Sequence, residues 1–190
     1  TSERRLSGSQ FVEFSEQEKV FAAVRKLIID NPAGEIDIAR SSDSQVRLLS
    51  FFRVYYSNKN DVDEIRKKIS IKAEFHEKEL SISGKSASVF PYRHVRIHLR
   101  LLVPDNVEVA VTNHEGDIVI RNTGKDIQLR QENGNLAMEN VPSGLKIELK
   151  NGNATIKNIA GHVDLVASRA NVFLENVLSL RLHGKHGDYS

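Results

Sequence analysis

Seven histidines and a scatter of surface carboxylates are the candidate reactive or metal-binding side chains of this 190-residue chain. His183 and His186 lie with Asp188 in one stretch, His-Gly-Lys-His-Gly-Asp, and three such ligands could hold zinc. The competing reading of that stretch is a solvated polar end. His94 and His98 are four apart on an expected strand. They share a face but stand about 13 Å apart at 3.3 Å per residue, too far to share a metal. Glycan-cleaving enzymes set paired carboxylates on one face. Here the outward positions mix signs: Asp117, Arg121, Gln128, Arg130, Glu139, Lys146, Glu148, Lys150, Lys157 and Asp164. Alternating charge of this kind is the pattern of a solvated sheet. The sequence holds no Gly-x-Ser-x-Gly, phosphate-loop, dinucleotide or His-Glu-x-x-His motif. No catalytic residue and no cofactor is therefore expected.

Composition narrows the field further. Cysteine is absent, which excludes a disulfide scaffold and a thiolate metal site. Net charge is +2 with 27% charged residues, and neither a basic stripe nor an aromatic stacking motif appears. Nucleic acid is accordingly not expected as a partner. The chain has no run of 18 apolar residues, so any membrane attachment would run through a segment absent from it. It begins at Thr1 rather than Met, as a chain relieved of a leader or anchor would, and as a trimmed soluble chain would too.

The strands beneath these side chains announce themselves by period. Gly116, Gly134 and Gly152 recur with a period of 18, with Ala170 in the fourth place, and Asn122, Asn140, Asn158 and Asn176 recur in step. Between them apolar pairs fall at 118/120, 127/129, 136/138, 145/147, 154/156, 163/165 and 172/174, then at 180/182 after one deletion. Spacing of two puts both members on one face of a strand. Strands every nine positions, with identity at twice that interval, predict two strands and about 18 residues per coil. The four Asn are expected to stack as a ladder of side-chain amides. A hexapeptide solenoid needs an inward residue every six, and a calcium β-roll needs Gly-Gly-x-Gly-x-Asp turns; neither pattern occurs. A sandwich of hairpins would not explain identity at the longer period.

Earlier segments are less regular. Residues 1–10 read as a loose N-terminal segment. Ser15 and Glu18 have capping-box spacing before Val20, Val24, Leu27 and Ile28, which allows a helix at 16–26. Strands near 18–22 and 25–30 are the preferred alternative. Gly34-Glu-Ile-Asp-Ile38 repeats the Gly116 pattern, and Val46 and Leu48 follow at the matching distance, so 34–50 is expected to be an outlying coil. Phe51, Phe52, Tyr55 and Tyr56 are the densest aromatic cluster, read either as a partner surface or, in preference, as the core of an N-terminal cap. A short helix is expected at 61–69, a hairpin turning near Glu77 and Lys78, and a half-buried strand from Val95 to Leu101.

Several of these segments together resemble a known family. They are LIIDNPAGEIDI, DSQVRL, EIRKKISIKAEFHEKELSIS, LLVPDNVEVAV and the series GDIVIRN, NGNLAMENV, NGNATIKNI. Across residues 12–189 the chain resembles the bacterial putative-adhesin domain of unknown function, the toastrack type. The resemblance implies a β-solenoid, often attached to a membrane-anchoring segment, with some members linked to envelope stress sensing. It supplies no catalytic motif to transfer.

The expected architecture is all-β: a two-sheet, single-stranded β-solenoid (β-helix), right-handed by family analogy and by the hand of parallel crossovers. Residues 1–10 are expected to be loose, 11–102 to form an elaborated β-rich N-terminal part with at most one or two short helices, and 103–190 to form the regular solenoid, whose coil pattern restarts at Gly187–Tyr189 and stops there as a truncated coil or an interaction edge would. The expected function is a non-enzymatic, envelope-associated binding, adhesion or stress-sensing module, with an envelope polymer or a protein as partner. The alternatives are a scaffold that self-associates through uncapped solenoid ends and a carbohydrate-active enzyme.

Overall fold

In a computed structural model, residues 2–6, 9–56, 61–86 and 95–190 are described. His94 lies outside them. The strands are β1 (Ser2–Leu6), β2 (Ser9–Ser15), β3 (Lys19–Ala22), β4 (Lys26–Asn31), β5 (Ile36–Arg40) and β6 (Gln45–Tyr56). After helix α1 (Asp61–Lys68) come β7 (Ile69–His76), β8 (Glu79–Ser86), β9 (Val95–Val103), β10 (Glu108–Glu115) and β11 (Ile118–Arg121). The chain closes with β12 (Lys125–Asn133), β13 (Leu136–Val141), β14 (Leu145–Ser168) and β15 (Ala170–Lys185). The protein is thus all-β with one short helix among the described residues, and its strands join in a single open 15-stranded sheet.

The sheet has two arms that meet on β14. The first runs β9, β5, β11, β13 and the middle of β14; the second runs β8, β4, β10, β12 and the start of β14. Within both arms the neighbours are parallel. Ile118 lies beside Leu136, Leu136 beside Ala154, and Ile127 beside Leu145, each pair one repeat apart. Parallel pairing needs a crossover between partners, and here one arm serves as the crossover for the other. Between β14 and β15 the register shifts at Ile159/His162, so that Val163 meets Leu180. The missing residue in the repeat is absorbed there. Val and Ile are frequent at the inward positions because β-branched side chains suit a pleated, buried face.

Inward residues of both arms form one cluster. Of the sixteen repeat positions, the thirteen from Ile118 to Val172 are buried, while Leu174 and Leu182 are only partly buried and Leu180 is 43% exposed. Those three lie on β15.

Two corners are fixed by backbone conformation. Gly134 has φ +132° and Gly152 has φ +133°. A Cβ on Gly134 would fall 2.2 Å from the carbonyl oxygen of Gly116, and one on Gly152 would fall 1.9 Å from that of Gly134. Only glycine fits these two positions; in the fourth place, Ala170, it is the preceding Arg169 that has positive φ, +52°. At the other corner Asn122, Asn140, Asn158 and Asn176 all have φ between +54° and +56°. Their amides form a ladder: Asn140 donates to Asn122 at 3.0 Å, Asn158 to Asn140 at 3.0 Å, and Asn176 to Asn158 at 2.9 Å. Asn tolerates the left-handed region, and in a stack each amide satisfies its neighbour.

The first part of the chain covers one end of the stack. β6 runs antiparallel to β9, with β2 and then β1 beyond it, and α1 lies against β6. On the second arm the hairpin of β7 and β8 lies beside β4. Its turn residues Glu77 and Lys78 have φ +48° and +70°, the signs a two-residue hairpin turn requires.

Two expectations are corrected and one alternative is decided. The preferred strands form, as β3 and β4, in place of a helix over 16–26: β3 pairs antiparallel with β6, and β4 lies between β8 and β10. The helical spacing of Val20, Val24 and Leu27 arises from two strands joined through Ala23, which has φ +59°. Residues 2–6 are not loose, because β1 pairs antiparallel with β2. The outlying coil is not 34–50. β5 does join the first arm, with Ile36 and Ile38 beside Ile118 and Ile120, but its companion in the second arm is β4. Val46 and Leu48 belong to β6, which reverses direction after the Ser41–Gln45 turn. Asp43 accepts from Ser41 Oγ at 3.0 Å, from the Gln45 amide at 2.9 Å and from Arg47 at 2.6 Å, which closes that turn.

Candidate binding face

The second arm turns Ala110, Thr112, His114, Gln128, Arg130, Glu132, Lys146, Glu148 and Lys150 outward, because each alternates with a buried neighbour. Parallel register lines them up in columns along the stack: Ala110, Gln128 and Lys146 in one, Thr112, Arg130 and Glu148 in the next. Two shallow troughs run between the columns. One, of about 220 Å³, is lined by Thr112, Gln128, Arg130, Lys146 and Glu148 among others. The other, of about 170 Å³, is lined by Arg130, Glu132, Glu148, Lys150, Val166 and Ser168 among others. Arg130 and Glu148 form the ridge shared by both.

The charges on this face are unevenly satisfied. Glu132 takes His114 at 3.3 Å and Lys150 at 3.6 Å, and His114 also lies 3.6 Å from Asp30. Hydrogen bonding to His114, then the charge of Lys150, holds the Glu132 carboxyl below the usual range. Arg130, Lys146 and Glu148 have no hydrogen-bonded or ionic partner among the described residues. The outward face of the first arm differs. There Arg121 pairs with Asp37 at 3.7 Å and Lys157 with Glu175 at 2.8 Å.

The sequence-derived candidates are distributed as follows. Phe52 is 1% exposed and stacks on Phe14 with centroids 5.2 Å apart, so it offers no surface to a partner. Phe51, Tyr55 and Tyr56 are half-buried. The Arg100 guanidinium lies over the Phe51 ring at 5.5 Å, Tyr55 packs on Phe11, and Tyr56 packs against the core. The cluster as a whole is cap core with a partly exposed rim. His183, His186 and Asp188 are exposed, and no three His, Cys, Asp or Glu among the described residues are grouped to hold a metal. Gly116, Gly134, Gly152 and the four Asn sit at the corners, where they hold backbone rather than present a ligand site.

Two features lie outside the sequence-based expectations. Behind the glycine corner lies a buried row of amides, Asn31, Asn113 and Gln131. Asn113 and Gln131 both donate to the Gly116 carbonyl, at 2.9 and 2.8 Å, and Asn31 donates to Asn113 at 3.2 Å. A signal for them exists, since 113 and 131 are one period apart in an inward register. The second feature is the burial of His98, a residue weighed above only as a metal ligand, whose side chain is 14% exposed. Its Nδ1 accepts from the Glu35 amide at 3.4 Å, and its Nε2 is buried without a partner among the described residues. Burial pushes its pKa down, opposed by the nearby Glu35 carboxylate.

Among solved structures the chain is similar to several described as adhesins. A putative cell adhesion protein from Clostridium sporogenes ATCC 15579 superposes with a TM-score of 0.44 at 13% identity, over 92% of this chain and 99% of that one. A putative adhesin from Bacteroides fragilis NCTC 9343 gives 0.40 at 10% identity, over 94% of each. A putative lipid binding protein from Parabacteroides distasonis ATCC 8503 gives 0.30 at 8% identity, over 96% of each. Neither a protein-family profile nor a curated relative matches the sequence. Likeness at this level transfers no activity and no ligand.

Proposed function

We propose that this chain is a non-enzymatic binding module of the bacterial cell envelope, built as a right-handed, two-sheet β-solenoid whose coils follow the period of the glycines and asparagines. The observation that carries the reading is the form of the outward second-arm face. It is broad and regular, and its concavities, of about 220 and 170 Å³, fall below the roughly 300–1,000 Å³ of enclosed small-molecule sites. A surface of that shape suits contact along an extended partner. The test is co-sedimentation of the 190-residue chain with purified cell-wall sacculi and with envelope membranes. Enrichment in either pellet is expected; recovery in the supernatant from both would refute the reading.

A second reading, a scaffold that self-associates through its last coil, has one observation in its favour. β15 pairs with β14 on one side, and on the other Asp188 and Ser190 hydrogen-bond its Val172–Leu174 segment; beyond that cover Leu178 is 76% and Leu180 43% exposed. An apolar strand at a sheet edge is a template for another strand.

A further inference from the structure

We infer that the ridge of Arg130, Lys146 and Glu148 is a recognition site for an acidic polysaccharide, a linear glycan bearing both carboxylates and hydroxyls. The inference rests on the binding-module reading above and names its ligand class. Two faces of one sheet differ in how their charges are paired. On the first arm the outward cations are engaged, Arg121 with Asp37 and Lys157 with Glu175. On the second arm Glu132 is engaged by His114 and Lys150. Between these settled columns Arg130, Lys146 and Glu148 stand exposed with no ionic or hydrogen-bonded partner among the described residues. Register sets Arg130 directly beside Glu148, one strand apart, and yet no ion pair forms between them. Their polar atoms are left to the two troughs that they line.

The chemistry of the ridge selects the ligand. Two unpaired cations against one unpaired carboxylate leave a net positive site, and Arg130 presents the planar fork that fits a carboxylate. Glu148 accepts hydrogen bonds only, and paired sugar hydroxyls are its natural donors. Thr112 and Gln128, beside them in the first trough, add neutral donors and acceptors. An acyl chain would need an apolar cavity, and a peptide anchor an apolar pocket; Val166 is the exposed large apolar side chain among the trough residues. The columns repeat at the strand spacing of about 4.8 Å, so an extended polymer lying along the stack meets Thr112, Arg130 and Glu148 in turn at successive strands.

The experiment is an NMR titration of the isotope-labelled 190-residue chain with three probes: hexagalacturonate, maltohexaose and a hexaglutamate peptide. Hexagalacturonate is expected to shift the signals of Thr112, Gln128, Arg130, Lys146 and Glu148, with a dissociation constant on the order of 0.1–1 mM for so open a site. Maltohexaose is expected to bind at least tenfold more weakly. Arg130→Ala with Lys146→Ala should weaken hexagalacturonate at least tenfold, and Glu148→Gln several-fold. Arg121→Ala with Lys157→Ala, on the other face, should leave it unchanged. Should the double variant misfold, Arg130→Gln alone carries the test. Binding of hexaglutamate as tightly as hexagalacturonate would reduce the site to polyanion attraction and overturn the glycan assignment. Shifts confined to another face, or none, would overturn the site. If hexagalacturonate fails while wild-type and the Arg130/Lys146 double variant sediment equally with envelope fractions, the ligand assignment falls and the module reading stands. If the chain binds nothing, both fall.

Discussion

At Gly134 a single methyl group separates a tolerated chain from a strained one. Its φ of +132° is a glycine conformation, and an added Cβ would meet the Gly116 carbonyl at 2.2 Å. Gly134→Ala is expected to cost at least about 2–4 kcal/mol, from backbone strain and from displacement of the coil beside it. Gly144 is the control. A Cβ there would meet its nearest atom, the His162 carbonyl oxygen, at 3.3 Å, so Gly144→Ala should cost less than about 1 kcal/mol. Urea unfolding of both variants decides the matter, and equal losses would remove the corner argument. His98 adds a pH dependence. Burial lowers its pKa below 6.5, so the unfolded chain binds that proton more tightly than the folded one. The stability from neutral His98 is therefore full above about pH 6.5 and is lost as pH falls from there toward the lower folded value. His98→Asn should flatten the decline in unfolding midpoint between about pH 7 and 5. An unchanged slope in the variant would show that other groups set it.

The Asn ladder belongs to the scale of the element, because no single rung has meaning without the parallel strands on either side. Asn140 both donates to Asn122 and accepts from Asn158, and holds φ +55°. Asn140→Gly keeps the backbone conformation and loses the two amide bonds, an expected cost of about 0.5–1 kcal/mol once the exposure of the ladder is allowed for. Asn140→Ala loses the bonds and also forces a Cβ-bearing residue without a local hydrogen bond into the left-handed region, for about 1–2 kcal/mol more. Thermal unfolding that ranked Ala above Gly would contradict this. Packing within the coils follows the same positional logic. Ile147, 0% exposed between two arms, should cost about 2–5 kcal/mol as Ile147→Ala, whereas Leu180, 43% exposed on the last coil, should cost less than about 1 kcal/mol. The chemical type is nearly constant along the repeat; what differs is whether another coil lies on top.

For the whole molecule, the two ends of the stack differ. β6, β2 and β1 continue the first arm by antiparallel pairing, and the β7–β8 hairpin continues the second. β15 presents Leu178 and Leu180 at the opposite end. If that edge recruits a second copy, sedimentation equilibrium will show association that strengthens with concentration, and Leu178→Lys with Leu180→Lys will abolish it without lowering the unfolding midpoint. A single monomeric species at millimolar concentration would remove the scaffold reading and leave the lateral face as the surface to pursue. The two ideas separate cleanly, because Arg130 and Lys146 lie on an outward face and Leu178 on the terminal coil.

The repeat, and nearly everything local to it, is legible in the order of the amino acids. Gly116, Gly134 and Gly152, the four Asn and the paired aliphatics each answer to near neighbours, and they recur with the same period. The pairing registers of Ile118 with Leu136 and Ile127 with Leu145 follow from it. Which early strands join the stack is settled by long-range pairing alone. Val46 and Leu48 imitate the spacing of Ile127 and Leu129, yet β4 occupies the second arm, because the turn at Asp43 sends β6 back along β9. A strand's alternation shows that one face is buried, and says nothing about which neighbour buries it. The candidate site obeys the same limit. The outward charges could all be named from the sequence, but their pairing depends on side-chain reach between strands of successive coils. That reach joins Lys157 to Glu175 and Glu132 to His114, and it leaves Arg130, Lys146 and Glu148 facing solvent.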